Sequence, residues 1–285
     1  MIQTRIISSF FLIILIVFAL RFDFVFNLIF IYVFSFLCFW EFFRLLSLRE
    51  CKESKEMNNF FLTRTKINPI DFFQIFVIQS SIYFFSLGKD VISLVIILMV
   101  SFFNLYFRKY NNLLASIGIL YIVTPFISLI NFYQIKFDLL LLLFVIAFST
   151  DIGGYVFGKL IKGPKIFPIT SPNKTWAGFF GGIILSLLIS QLFYEFTINK
   201  TFSSIIFWVI VFSVFCQFGD YLESYLKRSC NVKDSSNLIP GHGGILDRLD
   251  GILFLLIVMF LLDLMNYNFI NLFLNTKPLS RLSLD

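Results

Sequence analysis

Residues 139–158 read LLLLLFVIAFSTDIGGYVFG. An uninterrupted apolar run opens the stretch, and Ser149, Thr150, Asp151 and a pair of glycines lead out of it. A helix that crosses a bilayer takes about 20 mostly apolar residues, and an acid at the mouth of such a run is costly unless it meets a partner or a ligand. Working outward with the same ruler gives further runs at 6–20, 24–46, 72–87, 91–107, 113–132, 179–196, 203–219 and 252–266. Gln74, Gln79, Ser80 and Ser81 interrupt the run at 72–87. The reading is an all-α, polytopic integral membrane protein with about nine transmembrane helices and polar loops on the cytoplasmic face.

Composition agrees. Of 285 residues, 58% are hydrophobic and only 14% charged, with 42 Phe; mean hydropathy is +0.88. A soluble domain carries about 25% charged residues, so a water-soluble enzyme, a disordered chain, a collagen-like fibre and a disulfide-stapled domain are all excluded. Cys38, Cys51, Cys216 and Cys230 form no CxxC pair, and with His242 the single His there is no zinc or redox ligand set. Ala19-Leu20-Arg21-Phe22 lacks the small-residue pattern of a cleavage site, so 6–20 reads as a retained first span rather than a signal peptide.

The formal charge of +6 acts as a topology signal rather than a nucleic-acid footprint. With nine spans, one membrane face collects Arg5 and the basic residues of 44–66, 108–109, 159–174 and 227–248, which is 17 of the 23 Lys and Arg. The positive-inside rule places that face in the cytoplasm, so the expected location is the cytoplasmic membrane of a bacterium. The mixed-charge segment 49–66 reads as a solvated loop that attracts anionic headgroups. No internal repeat is visible. The chain divides into N-terminal membrane helices over 1–138, about five spans, and a C-terminal region over 139–285 that carries the polar motifs.

Two loops on the basic face break the apolar pattern, at 151–177 and 220–251. Asp220, Glu223 and Lys227 are spaced i, i+3 and i+7, one face of a helix continuing from the eighth span. Asp247 and Asp250 are spaced i, i+3 at the mouth of the ninth. Carboxylates crowded beside Lys227, Arg228, Lys233 and Arg248, with Asp234 among them, suit a Mg²⁺–polyphosphate site: oxygens hold the metal and cations hold the phosphates. Interfacial salt bridges fixing helix ends are the alternative. His242, set in Pro240-Gly241-His242-Gly243-Gly244, reads as a substrate contact or as a structural His in a tight turn. In the other loop Ser171, Lys174 and Thr175 either present hydroxyls and a cation to phosphates or cap the following helix. Asp151 faces the bundle and reads as functional.

The run Ser224-x-Leu226-Lys227-Arg228-x₄-Lys233-Asp234-x₅-Pro240-Gly241-His242-Gly243-Gly244-x₂-Asp247-Arg248-x-Asp250 resembles the signature of the phosphatidate cytidylyltransferases, or CDP-diacylglycerol synthases. Gly219-Asp220, Glu223, Asp151 and the stretch Ser171-Pro172 with Lys174-Thr175-Trp176 and Gly178 look like that family too. Members commonly carry Glu where this chain has Ala177 and a second Lys where it has Asn173.

The resemblance implies transfer of CMP from CTP to phosphatidic acid, giving CDP-diacylglycerol and pyrophosphate in phospholipid biosynthesis. It implies Asp220, Asp247, Lys227, Arg248 and Asp250 as catalytic residues. Asp220 and Asp247 come first as ligands for Mg²⁺, with Asp250 next, and the number of acids would suit a second cation. Lys227, Arg228, Lys233 and Arg248 would hold triphosphate and lipid phosphate. Asp151, Ser171, Lys174, Thr175, Glu223, Asp234 and His242 complete the substrate contacts. The partners are CTP, phosphatidic acid and membrane lipid, not nucleic acid, with a homodimer allowed for. A CTP-using lipid kinase of the polyprenol or phytol kinase type is the alternative within this chemistry. An ion-coupled transporter is the alternative outside it, and that would place charges near the midplane in paired halves.

Overall fold

A computed structural model describes residues 24–53, 67–108, 110–135, 137–168, 170–198, 205–239 and 243–265. In chain order the helices are α1 (Phe24–Glu53), α2 (Pro69–Ser86), α3 (Asp90–Phe107), α4 (Asn112–Ile135) and α5 (Phe137–Ile161). A hairpin of β1 (Lys165–Phe167) and β2 (Ser171–Thr175) follows, then α6 (Trp176–Ile198), α7 (Ile206–Ser229) and α8 (Leu246–Leu264).

Six of these, all but α2 and α8, are long and apolar enough to cross a membrane. The expected nine spans are therefore not matched among the described residues, and the run at 6–20 lies outside them. The two exceptions have physical reasons. In α2 the polar interruptions are put to use inside the bundle: Gln74 Oε1 accepts from Asn104 Nδ2 at 2.9 Å, and Gln79 Nε2 donates to Ser35 Oγ at 2.9 Å. In α8 the first turn carries Asp247, Arg248 and Asp250.

The interior is built from Phe39, Phe43, Phe126, Phe132 and Phe212 with Ile75, Leu45 and Leu46, all buried. The exterior is apolar as well. Helix α3 exposes Val91, Leu94, Val95, Leu98, Met99 and Phe102 on its outer side, a patch far beyond what a water-facing monomer tolerates and the surface that lipid requires. This is an all-α polytopic membrane protein.

Polar contacts show that the loop ends share one face. Arg108, after α3, pairs with Glu50 of α1 and takes both Asp71 oxygens of α2 at 3.0 Å. Arg49 Nη1 donates to Ser229 Oγ at the end of α7, 3.3 Å away, and Arg228 Nε donates to Thr170 O of the hairpin at 3.3 Å. The hairpin is the one departure from helix in this region. Lys162 and Gly163 turn the chain with positive φ, Pro164 cannot extend α5, and β1 and β2 pair antiparallel, Lys165 with Thr175 and Phe167 with Ser171.

Candidate active site

Two close helix crossings shape the site. Between α5 and α6 the contact is backbone on backbone: a Cβ at Gly153 would lie 2.6 Å from Gly181 O, and one at Gly178 would lie 2.6 Å from Gly154 O. That approach brings Asp151 of α5 beside the hairpin that leads into α6. Between α7 and α8 a Cβ at Gly219 would lie 2.7 Å from Asp250 O, so Asp220 and Asp250 come together as neighbours of that crossing.

Between these crossings lies a cavity of about 400 Å³ whose wall includes Asp151, Ser171, Lys174, Thr175, Asp220, Asp247, Arg248 and Asp250. Eight residues singled out from sequence thus converge on one space, from α5, β2, α7 and α8. Lys174 Nζ reaches across to Asp220 Oδ2 at 3.1 Å. The Asp250 carboxyl is an electrostatic neighbour of Asp220, Asp151 and Glu223. Thr175 is also a helix cap, since its Oγ1 accepts from Gly178 N at 3.2 Å.

Behind the wall sits a buried knot. Lys227 Nζ lies 2.6 Å from Asp247 Oδ1 and 3.3 Å from Glu223 Oε2. Asp247 further accepts from Ser235 N at 2.9 Å and Gly244 N at 2.7 Å, and Ser235 Oγ lies 3.0 Å from it. Asp247 precedes the apolar stretch that starts at Ile252; burial alone would raise its carboxyl, but Lys227 and these donors hold it below the usual carboxylate range. Asp247 therefore anchors Ser235 and Gly244 ahead of α8 as well as facing the cavity.

The remaining expected residues fall elsewhere. Arg228 is exposed and ties the hairpin to the loop, donating to Thr170 O and to Val232 O. Lys233 and Asp234 are exposed on that loop, outside the cavity wall. Glu223 faces a second, apolar space of about 290 Å³ between α1, α4 and α7. His242 lies outside the described residues.

The donor set suits a hard cation in kind. Asp220 and Asp250 offer carboxylate oxygens of the type Mg²⁺ takes, whereas the Asp247 oxygens are engaged by Lys227, Ser235 and Gly244. Among the described residues no three of Asp, Glu, His and Cys gather closely enough to hold one ion. A cation here would complete its shell with substrate oxygens and water, as Mg²⁺ commonly does.

The sequence pattern of the cytidylyltransferase family matches residues 3–265 of this chain. The chain belongs to that family. The chain is similar to the phosphatidate cytidylyltransferase of Staphylococcus epidermidis, 37% identical over 165 residues, 56% of this chain and 63% of the relative. That of Staphylococcus saprophyticus is 46% identical over 120 residues, 41% of this chain and 45% of the relative. That of Staphylococcus aureus is 34% identical over 163 residues, 56% and 63% of the two chains. The matched stretch thus spans less than two thirds of each of these relatives.

The candidate site has members that motif reading passed over. Glu41, in the middle of α1, is fully buried and accepts from Ser236 Oγ (2.6 Å), Ile245 N (2.9 Å), Ser235 Oγ (2.8 Å) and Leu246 N (2.8 Å). Arg44 donates to Ser235 O. Gln217 lines the cavity and holds Phe179 O at 3.2 Å. The signal for Glu41 was in the sequence: an acid inside a membrane span calls for a partner.

Proposed function

We propose that this chain transfers CMP from CTP to phosphatidic acid, giving CDP-diacylglycerol and pyrophosphate. The observation that carries the reading is the single cavity in which Asp151, Lys174, Asp220, Arg248 and Asp250 meet. Acids and cations from four elements face one space large enough for a nucleotide's phosphates. The similarity to phosphatidate cytidylyltransferases supports the choice of substrates.

A phosphate monoester is already ionised at neutral pH, so the nucleophile needs no general base. Its oxygen attacks the α-phosphorus of CTP, and the bond to the bridging oxygen of the β-phosphate breaks as pyrophosphate leaves. Such transfers are accelerated by positioning and charge neutralisation. Lys174 stands within reach of both the Asp220 carboxylate and a phosphate in the cavity. Arg248 presents a guanidinium, the fork that matches phosphate oxygens. Lys227 holds Asp247 and Glu223 from behind. Mg²⁺ bound at Asp220 and Asp250 would neutralise the charge that gathers on the departing pyrophosphate.

Arg49, Arg108 and Arg228 at the loop ends, with Lys174 and Arg248 in the cavity wall, support a cytoplasmic site in a bacterial cytoplasmic membrane. The test uses purified protein in detergent with Mg²⁺, phosphatidic acid and CTP labelled in the α-phosphate. Label should enter the lipid phase only with both substrates and metal, with pyrophosphate released in equal amount. Lipid labelled instead from γ-labelled CTP would replace this reading with that of a CTP-dependent lipid kinase.

A further inference from the structure

We propose that Glu41 of α1 is a positioning residue for this reaction: it fixes the N-terminus of α8 and so aims Asp247, Arg248 and Asp250 into the cavity. The inference rests on the CMP-transfer reading for its kinetic half and on geometry alone for its structural half.

A helix leaves its first N–H groups without intrahelical partners, and the residue before it usually caps them with a side-chain oxygen. Helix α8 has Ile245 at that position, which makes no side-chain cap. The acceptor comes instead from a helix about 200 residues earlier. Glu41 Oε1 takes Ile245 N at 2.9 Å and Oε2 takes Leu246 N at 2.8 Å. The two carboxylate oxygens also take the hydroxyls of Ser236 and Ser235. All four donors belong to the loop and first turn of α8, and the acid, 0% exposed, has no water to fall back on. A carboxylate at a helix N-terminus is favoured by the helix dipole as well.

The arrangement continues into the site. Ser235 Oγ lies 2.8 Å from Glu41 and 3.0 Å from Asp247, while Ser235 N donates to Asp247 at 2.9 Å. Arg44, three residues on along α1, holds Ser235 O. One turn of α8 then carries Asp247, Arg248 and Asp250 to the cavity wall. Moving that turn by about 1 Å is enough to cost a phosphoryl-type transfer on the order of 100-fold, without removing any group that touches the substrate.

The test is Glu41→Gln, which keeps size but turns an NH₂ toward groups that are themselves donors. Two readouts are taken on the whole purified protein. Hydrogen–deuterium exchange should speed up in peptides covering 235–250 and stay unchanged elsewhere. In the CTP assay kcat should fall about 100-fold with KM for CTP within about twofold. Faster exchange throughout the chain, or an unchanged kcat in a protein whose 235–250 segment has loosened, would overturn the proposal. Should Glu41→Gln not fold, Ser236→Ala removes a single donor and should shift both readouts less but in the same direction; no shift in either readout would also overturn it. If the wild type itself transfers no CMP while the local exchange change is present, the reaction assigned to the site has failed and the capping of α8 by Glu41 stands.

Discussion

Asp220 and Asp247 look equivalent as acids at helix ends, but their surroundings differ. Asp220 pairs with the half-exposed Lys174 across the cavity, whereas Asp247 carries Lys227 and the amides of Ser235 and Gly244. Asp220→Asn should therefore abolish turnover with a melting temperature close to wild type, while Asp247→Asn should lose both, measured by product formation and thermal unfolding in detergent. Lys227→Ala leaves Glu223 and Asp247 buried without their cation. A broken buried pair costs about 3–5 kcal/mol, so this variant should be clearly destabilised as well as inactive. Adding Glu223→Gln should recover part of the stability and none of the turnover.

At the scale of elements, the α5–α6 crossing holds Asp151 against the hairpin that bears Lys174. Gly178→Leu forces a side chain toward Gly154 O, and the expected result is loss of turnover with helix content retained by circular dichroism. Most helices were legible because an apolar run of about 20 residues has few other solutions; the extension of α7 to Lys227 followed from acids and a base at helical spacing. The hairpin was not legible. Ser171-Pro172-Asn173-Lys174-Thr175 has no alternation of apolar and polar residues, and it becomes a strand only by pairing with Lys165–Phe167 across a turn. The apolar run at 252–266 marked a helix, and the acids at i and i+3 ahead of it marked its mouth; the structure adds that Asp247, Arg248 and Asp250 already belong to the first turn of α8. Glu41 escaped because each of its partners is some 200 positions away, beyond any local pattern.

For the whole molecule, the side of the membrane that the cavity faces is open to direct measurement. Cys38, Cys216 and Cys230 are buried, while Lys162 beside the hairpin and Lys89 between α2 and α3 are exposed. In a Cys51→Ser background, Lys162→Cys should react with an impermeant maleimide in inside-out vesicles and Lys89→Cys in right-side-out ones; the reverse pattern would put the site outside the cell. The reach from Glu41 to the loop ahead of α8 also has a consequence in time. The ribosome releases Glu41 some 200 residues before the serines and amides that satisfy it, an interval of roughly 10–40 s at ordinary elongation rates. Until Ser235 and the start of α8 arrive, the nascent chain holds an acid in the membrane with its final partners still unmade. A product that stops before Ser235 lacks all four donors and leaves that acid unsatisfied in the apolar interior.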